Sequence, residues 1–430
     1  MASSQRRLLD QADLHLRAGR VKRAKALYQQ ILRQDQKCSE ALFAIALLLY
    51  DAGELEAAAE RLRQLLNLRP ELAEAHFNLG TILNALGQLE SASEAFTRAI
   101  ELQPSFADAH NNLGIVYREQ GHPEQALACF QEAVRCAPDS LAAMLNYGTA
   151  LLKSQQIDKA VEVCHQNLAG HPESPDAHYA LGIALEQAGQ SSAALQYLRE
   201  AVRLRPEVAE WQFHLAACEG SVSPSSAPAE YVASLFDAYA ARFDEHLVGQ
   251  LGYRTPQHLR EAVQQLTNRH FKRALDLGCG TGLCGEVFKS IVECLVGVDL
   301  SSQMVSAARQ RGIYHDLKVS DIGTFLDDEV VESDLVLAAD VFVYIGDLSD
   351  TFVRVSRILR TGGLFAFSVE ANSGDTWQLG STRRFSHGLP YLQQLAKLHN
   401  LTQRAVSSVV LRTDGGKEVS GWIMVLEKLP

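Results

Sequence analysis

The chain has 430 residues, of which 47% are hydrophobic and 21% are charged, and its formal net charge is -11. The length predicts two or three domains, and the composition is that of a folded protein and not of a disordered one. The negative charge disfavours binding to nucleic acid through phosphate contacts, so we expect no nucleic-acid partner. The eight cysteines show no paired CxxC spacing, which argues against a metal site and favours a reducing compartment.

The first residues carry no apolar segment of the kind found in signal peptides. The longest apolar run, residues 41–50, is about half the length that a membrane-spanning helix needs. We therefore expect no membrane association and a cytoplasmic location.

A fixed spacing of 34 residues organises the first half of the chain. Prolines recur at this interval, each with a small residue 24 positions upstream, an alanine 12 upstream and, in most units, a larger residue 8 upstream. The positions are Pro70, Pro104, Pro138, Pro172 and Pro206; Ala46, Gly80, Gly114, Gly148 and Gly182; Ala58, Ala92, Ala126, Ala160 and Ala194; and Leu62, Phe96, Phe130, Cys164 and Leu198. Small residues let two antiparallel helices approach closely, and proline ends the second helix. The pattern predicts a stack of helical hairpins.

This pattern resembles the tetratricopeptide repeat (TPR) over five units. A degenerate sixth unit stands in front, with Gln36 where the proline would be. Residues 207–218 predict a final capping helix, and residues 219–229 are rich in Ser and Pro, as linkers are. The resemblance implies an α-solenoid, a TPR superhelix, over residues 1–218.

Asn78, Asn112 and Asn146 recur at the repeat period on the first helix of their units. They are similar to the asparagine ladder with which O-GlcNAc transferases hold a peptide backbone, since an amide matches both a backbone donor and a backbone acceptor. The alternative is that these amides hydrogen-bond within the scaffold. The resemblance implies a peptide or protein partner in the TPR groove.

Strand and helix patterns alternate in the second half, residues 230–430. Apolar runs at 274–277, 295–298, 317–319, 335–339 and 364–367 are separated by helical patterns such as 302–311 and 347–359. Such alternation predicts a parallel sheet covered by helices on both faces. Residues 406–411 and 422–426, joined by a turn at 414–416, predict a closing antiparallel hairpin.

Asp276, Gly278, Gly280 and Gly282 follow the first strand of this half. Glycines at alternate positions let the backbone approach a ligand at a helix N-terminus. A dinucleotide fingerprint would require a different glycine spacing, and Leu283 therefore disfavours a nicotinamide oxidoreductase.

The glycine turn and the strand ends that follow it resemble the motifs of class I S-adenosylmethionine (SAM) methyltransferases. The resemblance implies a Rossmann-like α/β methyltransferase fold with a C-terminal antiparallel hairpin, and SAM as cofactor. It assigns cofactor binding to Asp276, Gly278, Gly280, Gly282, Asp299, Met304, Asp321, Ala339 and, on a lid helix, Tyr239. Asp299 would hold the ribose and Asp321 the adenine amino group, although both could serve only as helix caps. The second half also resembles a bacterial group of TPR-containing methyltransferases.

Methyl transfer is a direct displacement that depends on alignment, and it uses a base where the acceptor must lose a proton. His387, Tyr344 and Asp340 are the candidates for a catalytic role, and Arg384 is the candidate for binding a carboxylate or phosphate of the acceptor. His387 and Arg384 could equally be surface residues of a loop. We expect a SAM-dependent methyltransferase that acts on a small molecule or on a protein recruited by the TPR groove. The alternative is a TPR adaptor with a non-catalytic SAM-binding domain.

Overall fold

The computed structural model describes residues 2–220, 224–414 and 416–430. The chain divides into two compact units, residues 1–204 and 205–430. Residues 221–223 of the expected linker and Gly415 of the expected turn lie outside the described residues. The domain boundaries given above, 1–218, 219–229 and 230–430, stay a prediction.

The described part of the first unit contains twelve α-helices that follow one another as six helical hairpins. They are α1 (Ala2–Arg17), α2 (Val21–Gln34), α3 (Ser39–Asp51), α4 (Leu55–Leu68), α5 (Ala73–Ala85), α6 (Leu89–Leu102), α7 (Ala107–Glu119), α8 (Pro123–Cys136), α9 (Leu141–Lys153), α10 (Ile157–Gly170), α11 (Pro175–Gln187) and α12 (Ser191–Leu204). Each of the five repeat prolines stands two residues after the end of an even-numbered helix, so the predicted solenoid is confirmed.

Close contact between the small and large repeat positions holds each hairpin together. A Cβ atom built on Gly114 would lie 2.7 Å from the Phe130 ring, and one on Gly80 would lie 2.8 Å from the Phe96 ring. Both phenylalanines are fully buried. The missing side chain on one helix therefore leaves the space that the aromatic ring of the next helix fills, which explains why the two positions alternate in size.

The three recurring asparagines make hydrogen bonds inside the array. Asn78 donates from Nδ2 to the carbonyl of Glu74 at 2.7 Å. Asn146 donates to Asn111 Oδ1 at 2.8 Å, and Asn111 donates to Asn112 Oδ1 at 3.3 Å. These bonds match the scaffold alternative, while each amide keeps further hydrogen-bonding capacity for a bound peptide. The peptide-binding role stays a prediction.

The second unit combines eight α-helices with nine strands among its described residues. The helices are α13 (Ala209–Glu219), α14 (Ala229–Tyr239), α15 (Thr255–Leu266), α16 (Leu283–Phe288), α17 (Ser302–Gln310), α18 (Ile322–Asp328), α19 (Ser349–Ile358) and α20 (Leu389–Leu398). The strands are β1 (Phe271–Leu277), β2 (Val292–Asp299), β3 (Asp316–Val319), β4 (Ser333–Ala338), β5 (Leu359–Asn372), β6 (Trp377–Leu379), β7 (Phe385–Gly388), β8 (Leu401–Asp414) and β9 (Lys417–Lys428).

One twisted sheet contains all these strands. The parallel strands run in the order β3-β2-β1-β4-β5, and the β8–β9 hairpin joins β5 through antiparallel pairing with β9. Because β5 is 14 residues long, its last residues also pair with β7, which in turn pairs with β6. The predicted α/β fold with its C-terminal antiparallel hairpin is confirmed.

Hydrophobic layers cover the sheet on both faces. One layer packs strand residues such as Leu275 and Phe367 with α18, α19 and α20, and the other packs residues such as Ala274 and Leu335 with α15 and α16. Helix α13, for which a capping role was expected, packs Phe213 against Phe385 of β7 at a ring distance of 5.9 Å.

Candidate active site

A cavity of about 980 Å³ opens at the carboxyl ends of the parallel strands. It lies where the strand order reverses, with β1 between β2 and β4. Open α/β sheets bind their ligands at this switch point. The loops that follow the two adjacent strands run in opposite directions there, so a crevice forms between them. The volume is in the range of sites for small ligands.

Two glycines of the turn after β1 line the cavity with bare backbone. Gly278 has φ +65°, and a Cβ there would lie 2.3 Å from Val341 Cγ2. Gly280 also has a positive φ, and its N–H donates to Asp299 Oδ2 at 2.9 Å. Any larger residue at 278 would be strained and would clash, so the local conformation requires glycine.

Asp299 lies at the end of β2 and lines the same wall of the cavity. Its Oδ1 accepts from the N–H of Ser301 at 2.9 Å, and its Oδ2 accepts from Gly280. Burial raises the pKa of this carboxyl, against the effect of the backbone donors. Ser301, and not Asp299, caps α17, since its hydroxyl accepts from Met304 N at 3.0 Å. Asp299 therefore does not cap α17, contrary to the alternative interpretation that it serves only as a helix cap.

The other residues expected to bind the cofactor divide into those that line the cavity and those that support it. Met304, Asp321 and Ala339 line the cavity, and Asp321 also caps α18 through Thr324 N. Gly282 is the N-cap of α16 and is not part of the lining, while Asp276 is 1% exposed beneath the turn.

Asp276 is a buried carboxyl with incomplete hydrogen bonding. Its Oδ2 accepts from the Tyr314 hydroxyl at 2.6 Å, whereas Oδ1 has no partner among the described residues. Burial raises the pKa of Asp276 to about 7, and the hydrogen bond from Tyr314 opposes that rise. The structure therefore places Asp276 under the site as support and not on its surface.

A lid formed by residues 229–250 covers the cavity with aromatic rings. Phe236, Tyr239 and Phe243 line it, and the Tyr239 hydroxyl hydrogen-bonds to the ring of His246. Phe236 lies edge-on to Tyr344, with the ring centroids 5.5 Å apart. The position of Tyr239 agrees with the lid role that the resemblance implies for it.

Two carboxylates attach this lid to the loops below. Asp237 Oδ1 accepts from the Ser301 hydroxyl at 2.5 Å and from Gln303 N at 3.1 Å. Asp244 accepts from the Thr281 hydroxyl at 2.5 Å and forms an ion pair with Arg311. The lid is thus tied both to the glycine turn and to the loop after β2.

Charged residues crowd the cavity near the end of β4. Asp340, Arg384, Arg412 and Asp414 line it, and Glu370 stands behind them. Arg412, whose side chain is 3% exposed, donates to Asp340 Oδ2 at 3.1 Å and pairs with Glu370. Arg384 lies 3.6 Å from a Glu370 oxygen and 3.8 Å from an Asp414 oxygen.

His387 lies outside the cavity, contrary to the expectation that it could be catalytic. It is 0% exposed in β7, and its Nε2 bonds to the carbonyls of Ile345 and Gly346, each at 3.0 Å. Burial lowers the pKa of His387 to about 4. A base must reach the proton that it removes, and this ring is enclosed by its own scaffold. The segment expected to be a loop is instead the short strand β7.

The site contains residues that the sequence analysis did not select. Asp237 and Asp244 stood within the lid helix pattern, where acidic residues are ordinary surface residues. Arg412 lies 72 positions from Asp340, in a strand whose exposed half is polar. Nothing in their local sequence indicates these contacts, since each depends on how distant segments fold together.

Models of known families match both halves of the chain. Residues 275–367 match the methyltransferase domain model. TPR models match residues 46–83 and 80–121, residues 107–140, and residues 9–60, 145–209 and 179–219. The chain combines TPR repeats with a methyltransferase domain.

Curated relatives are similar to this chain through the methyltransferase domain. The chain is 28% identical to malonyl-[acyl-carrier protein] O-methyltransferase of Salmonella typhimurium over 40% of its own length and 66% of that protein's. It is 31% identical to trans-aconitate 2-methyltransferase of Rhizobium etli over 31% of its own length and 51% of that protein's. The chain thus spans about half to two thirds of the length of these relatives.

Solved structures are similar to part of this chain. PilF of Pseudomonas aeruginosa is 21% identical, with a TM-score of 0.44 over 49% of this chain and 96% of that one. YrrB, described as a TPR protein with an unusual peptide-binding site, is 22% identical, with a TM-score of 0.37 over 42% of this chain and 93% of that one. Within the described residues, no helix combines the length and hydrophobicity needed to cross a membrane.

Proposed function

We propose that this protein is a SAM-dependent methyltransferase whose TPR array recruits a peptide or protein, either as the methyl acceptor or as a localising partner. One observation carries the proposal. The cavity of the methyltransferase domain lies at the switch point of the sheet, where bare glycine backbone and the Asp299 carboxylate share one wall. The aromatic lid covers the same cavity, and a cytoplasmic location is part of the proposal.

The residues of this wall suit an adenosyl ligand. Each oxygen of Asp299 already accepts one backbone N–H, and a carboxylate oxygen can accept a second hydrogen bond. Asp299 is therefore oriented by the backbone and still able to accept both hydroxyls of a ribose. Met304, which is fully buried, adds an apolar side chain behind this wall, and Asp321 offers a carboxylate for an amino group. When bound, SAM supplies an electrophilic methyl group.

The chain's own contribution to the reaction is alignment and exclusion of water. Rings of the lid, Phe236, Tyr239 and Phe243, line the cavity together with the glycine turn. Tyr344 and Asp340 line it at the end of β4, and Arg384 provides a cation for an anionic part of the acceptor. Holding donor and acceptor at attack geometry is the main source of rate acceleration in such a displacement.

Calorimetric titration of the full chain with SAM and then with NADH tests the cofactor. We expect heat of binding with SAM and none with NADH, and the reverse result would contradict the proposal. Incubation with methyl-labelled SAM and cell extract, followed by separation into protein and metabolite fractions, tests turnover. Binding of SAM without transfer of label to either fraction would favour an adaptor with a non-catalytic domain.

A further inference from the structure

The backbone of Asp340 is held in a conformation that residues other than glycine seldom adopt. Its φ is +60°, and its N–H donates to the Ser368 hydroxyl at 2.8 Å. Such a conformation is strained and persists where the surrounding structure imposes it, most often at functional sites. It positions the carboxylate of Asp340 at the end of β4, in the lining of the cavity.

The carboxylate of Asp340 is satisfied on one oxygen only. Its Oδ2 accepts from Arg412, whereas its buried Oδ1 has no hydrogen-bond partner among the described residues. An unpaired carboxylate oxygen in a buried site carries a desolvation cost that a ligand donor would remove. The carboxylate of Asp340 can therefore accept a further hydrogen bond, which suits a ligand group that brings a proton.

The charges around Asp340 do not suit an anion as the reacting group. The two arginines, Arg384 and Arg412, face three carboxylates, those of Asp340, Glu370 and Asp414. Carboxylates therefore outnumber arginines around Asp340. A carboxylate placed beside Oδ1 would bring no proton and would be repelled, since like charges at hydrogen-bonding distance disfavour each other.

We propose that the methyl acceptor presents a hydroxyl or amine group to the carboxylate of Asp340, and that Asp340 is the base that removes its proton. This inference rests on the proposed function and adds the class of acceptor to it. The acceptor oxygen or nitrogen forms a bond to the methyl carbon as the carbon–sulfur bond breaks. The sulfur keeps that electron pair and becomes a neutral thioether, and the acceptor's proton passes to Asp340. An anionic group elsewhere on the acceptor can bind Arg384, whose ion pairs are long.

The alkali stability of the transferred label tests the class of acceptor. Full-length protein is incubated with methyl-labelled SAM and cell extract, and the labelled products are treated with alkali. Ethers and methylamines keep the label, whereas methyl esters of carboxylates release it as volatile methanol. We expect alkali-stable label, and its behaviour in acid then separates oxygen from nitrogen acceptors through the basicity of the methylated amine. Alkali-labile label would overturn the inference while leaving the methyltransferase function intact. Absence of both SAM binding and transfer would overturn both.

Asp340→Asn tests the role of the residue itself. Asparagine tolerates positive φ and can still accept from Arg412, so the variant keeps the backbone and removes only the base. We expect the rate of label transfer to fall at least about 100-fold while the Kd for SAM changes less than about twofold. Asp350→Asn is the control, since its side chain is 89% exposed on α19 and does not line the cavity, and its rate should stay within about threefold. Weaker SAM binding by Asp340→Asn with an unchanged rate would overturn the assignment.

The pH profile gives an independent readout. Charged or titratable groups that act on Asp340 are Arg412, Glu370, Arg384, Tyr253 and Tyr344. Burial raises the pKa of Asp340, and Arg412 opposes the rise. The ionised base is lost as pH falls through this raised pKa, so the wild type should lose rate on the acid side. The residual rate of Asp340→Asn should lack that decline, and an unchanged decline would contradict the proposal.

Discussion

Replacement of the buried Asp276 is expected to change how the stability of the methyltransferase domain depends on pH. The pKa of Asp276 is about 7 in the folded protein, against 3.8 for an ordinary aspartate. Because the pKa of Asp276 is higher in the folded protein than in the unfolded chain, protonation of this carboxyl favours folding. Its contribution to the free energy of unfolding is complete below pH 4 and is lost as the pH rises through 7. A difference of about 3 in pKa corresponds to about 4 kcal/mol, which is the upper limit of the change over this interval. Asp276→Asn is neutral throughout and can still accept from Tyr314.

Urea unfolding of wild type and Asp276→Asn between pH 4.5 and 8 measures this effect. The three tryptophans, Trp211, Trp377 and Trp422, all lie in residues 205–430, so their fluorescence reports the second unit alone. We expect the difference in unfolding free energy to shift in favour of the variant as pH rises. Asp327→Asn is the control. The hydrogen bond from Arg354 lowers the pKa of Asp327, so its contribution is constant above pH 4. A flat difference for Asp276→Asn would refute the reasoning.

Two further predictions concern the lid and the repeats. Asp237→Asn and Asp244→Asn each remove a charged acceptor that ties the lid to Ser301 or to Thr281. We therefore expect SAM to dissociate about 5–10-fold faster in stopped-flow measurements. The kcat at saturating SAM should be unchanged. Equal dissociation rates would show that the lid contacts do not retain the cofactor. In the repeats, Gly114→Ala should destabilise the array by about 1–3 kcal/mol in thermal unfolding followed by circular dichroism, because its Cβ would lie 2.7 Å from a buried ring. Gly170→Ala, with no atom within 4 Å of its Cβ, is the matched control, and equal losses in the two variants would contradict the packing argument.

The repeat half could be predicted closely because its information is local. Each hairpin packs on its neighbours, so the small residue at Gly80 and the large one at Phe96 recur with the period of the fold. The buried parallel strands were predicted for a related reason, since strands covered on both faces are continuous apolar runs. Strands β6 and β7 have only 3 and 4 residues, too short for any alternation to be recognised, and His387 was therefore expected in a loop.

The candidate site likewise contains residues that could be predicted from the sequence and residues that could not. Gly278, Gly280 and Asp299 could be placed from sequence, because the ends of adjacent parallel strands meet at one edge of a sheet. The lid contact of Asp244 and the pairing of Arg412 with Asp340 join segments tens of residues apart, and neither residue type is unusual in its local pattern. Long-range side-chain pairing of this kind is decided by the packed structure and leaves no period in the chain.

Binding of SAM to the methyltransferase domain is measured most directly by isothermal titration of the full chain and of Asp299→Ala. The variant loses the carboxylate that lines the cavity at the end of β2. Asp316→Ala, at the exposed opposite end of the neighbouring strand β3, is the control. We expect wild type and Asp316→Ala to bind SAM with the same affinity and Asp299→Ala to bind at least tenfold more weakly. Equal affinity of all three proteins, or no binding by the wild type, would contradict the account.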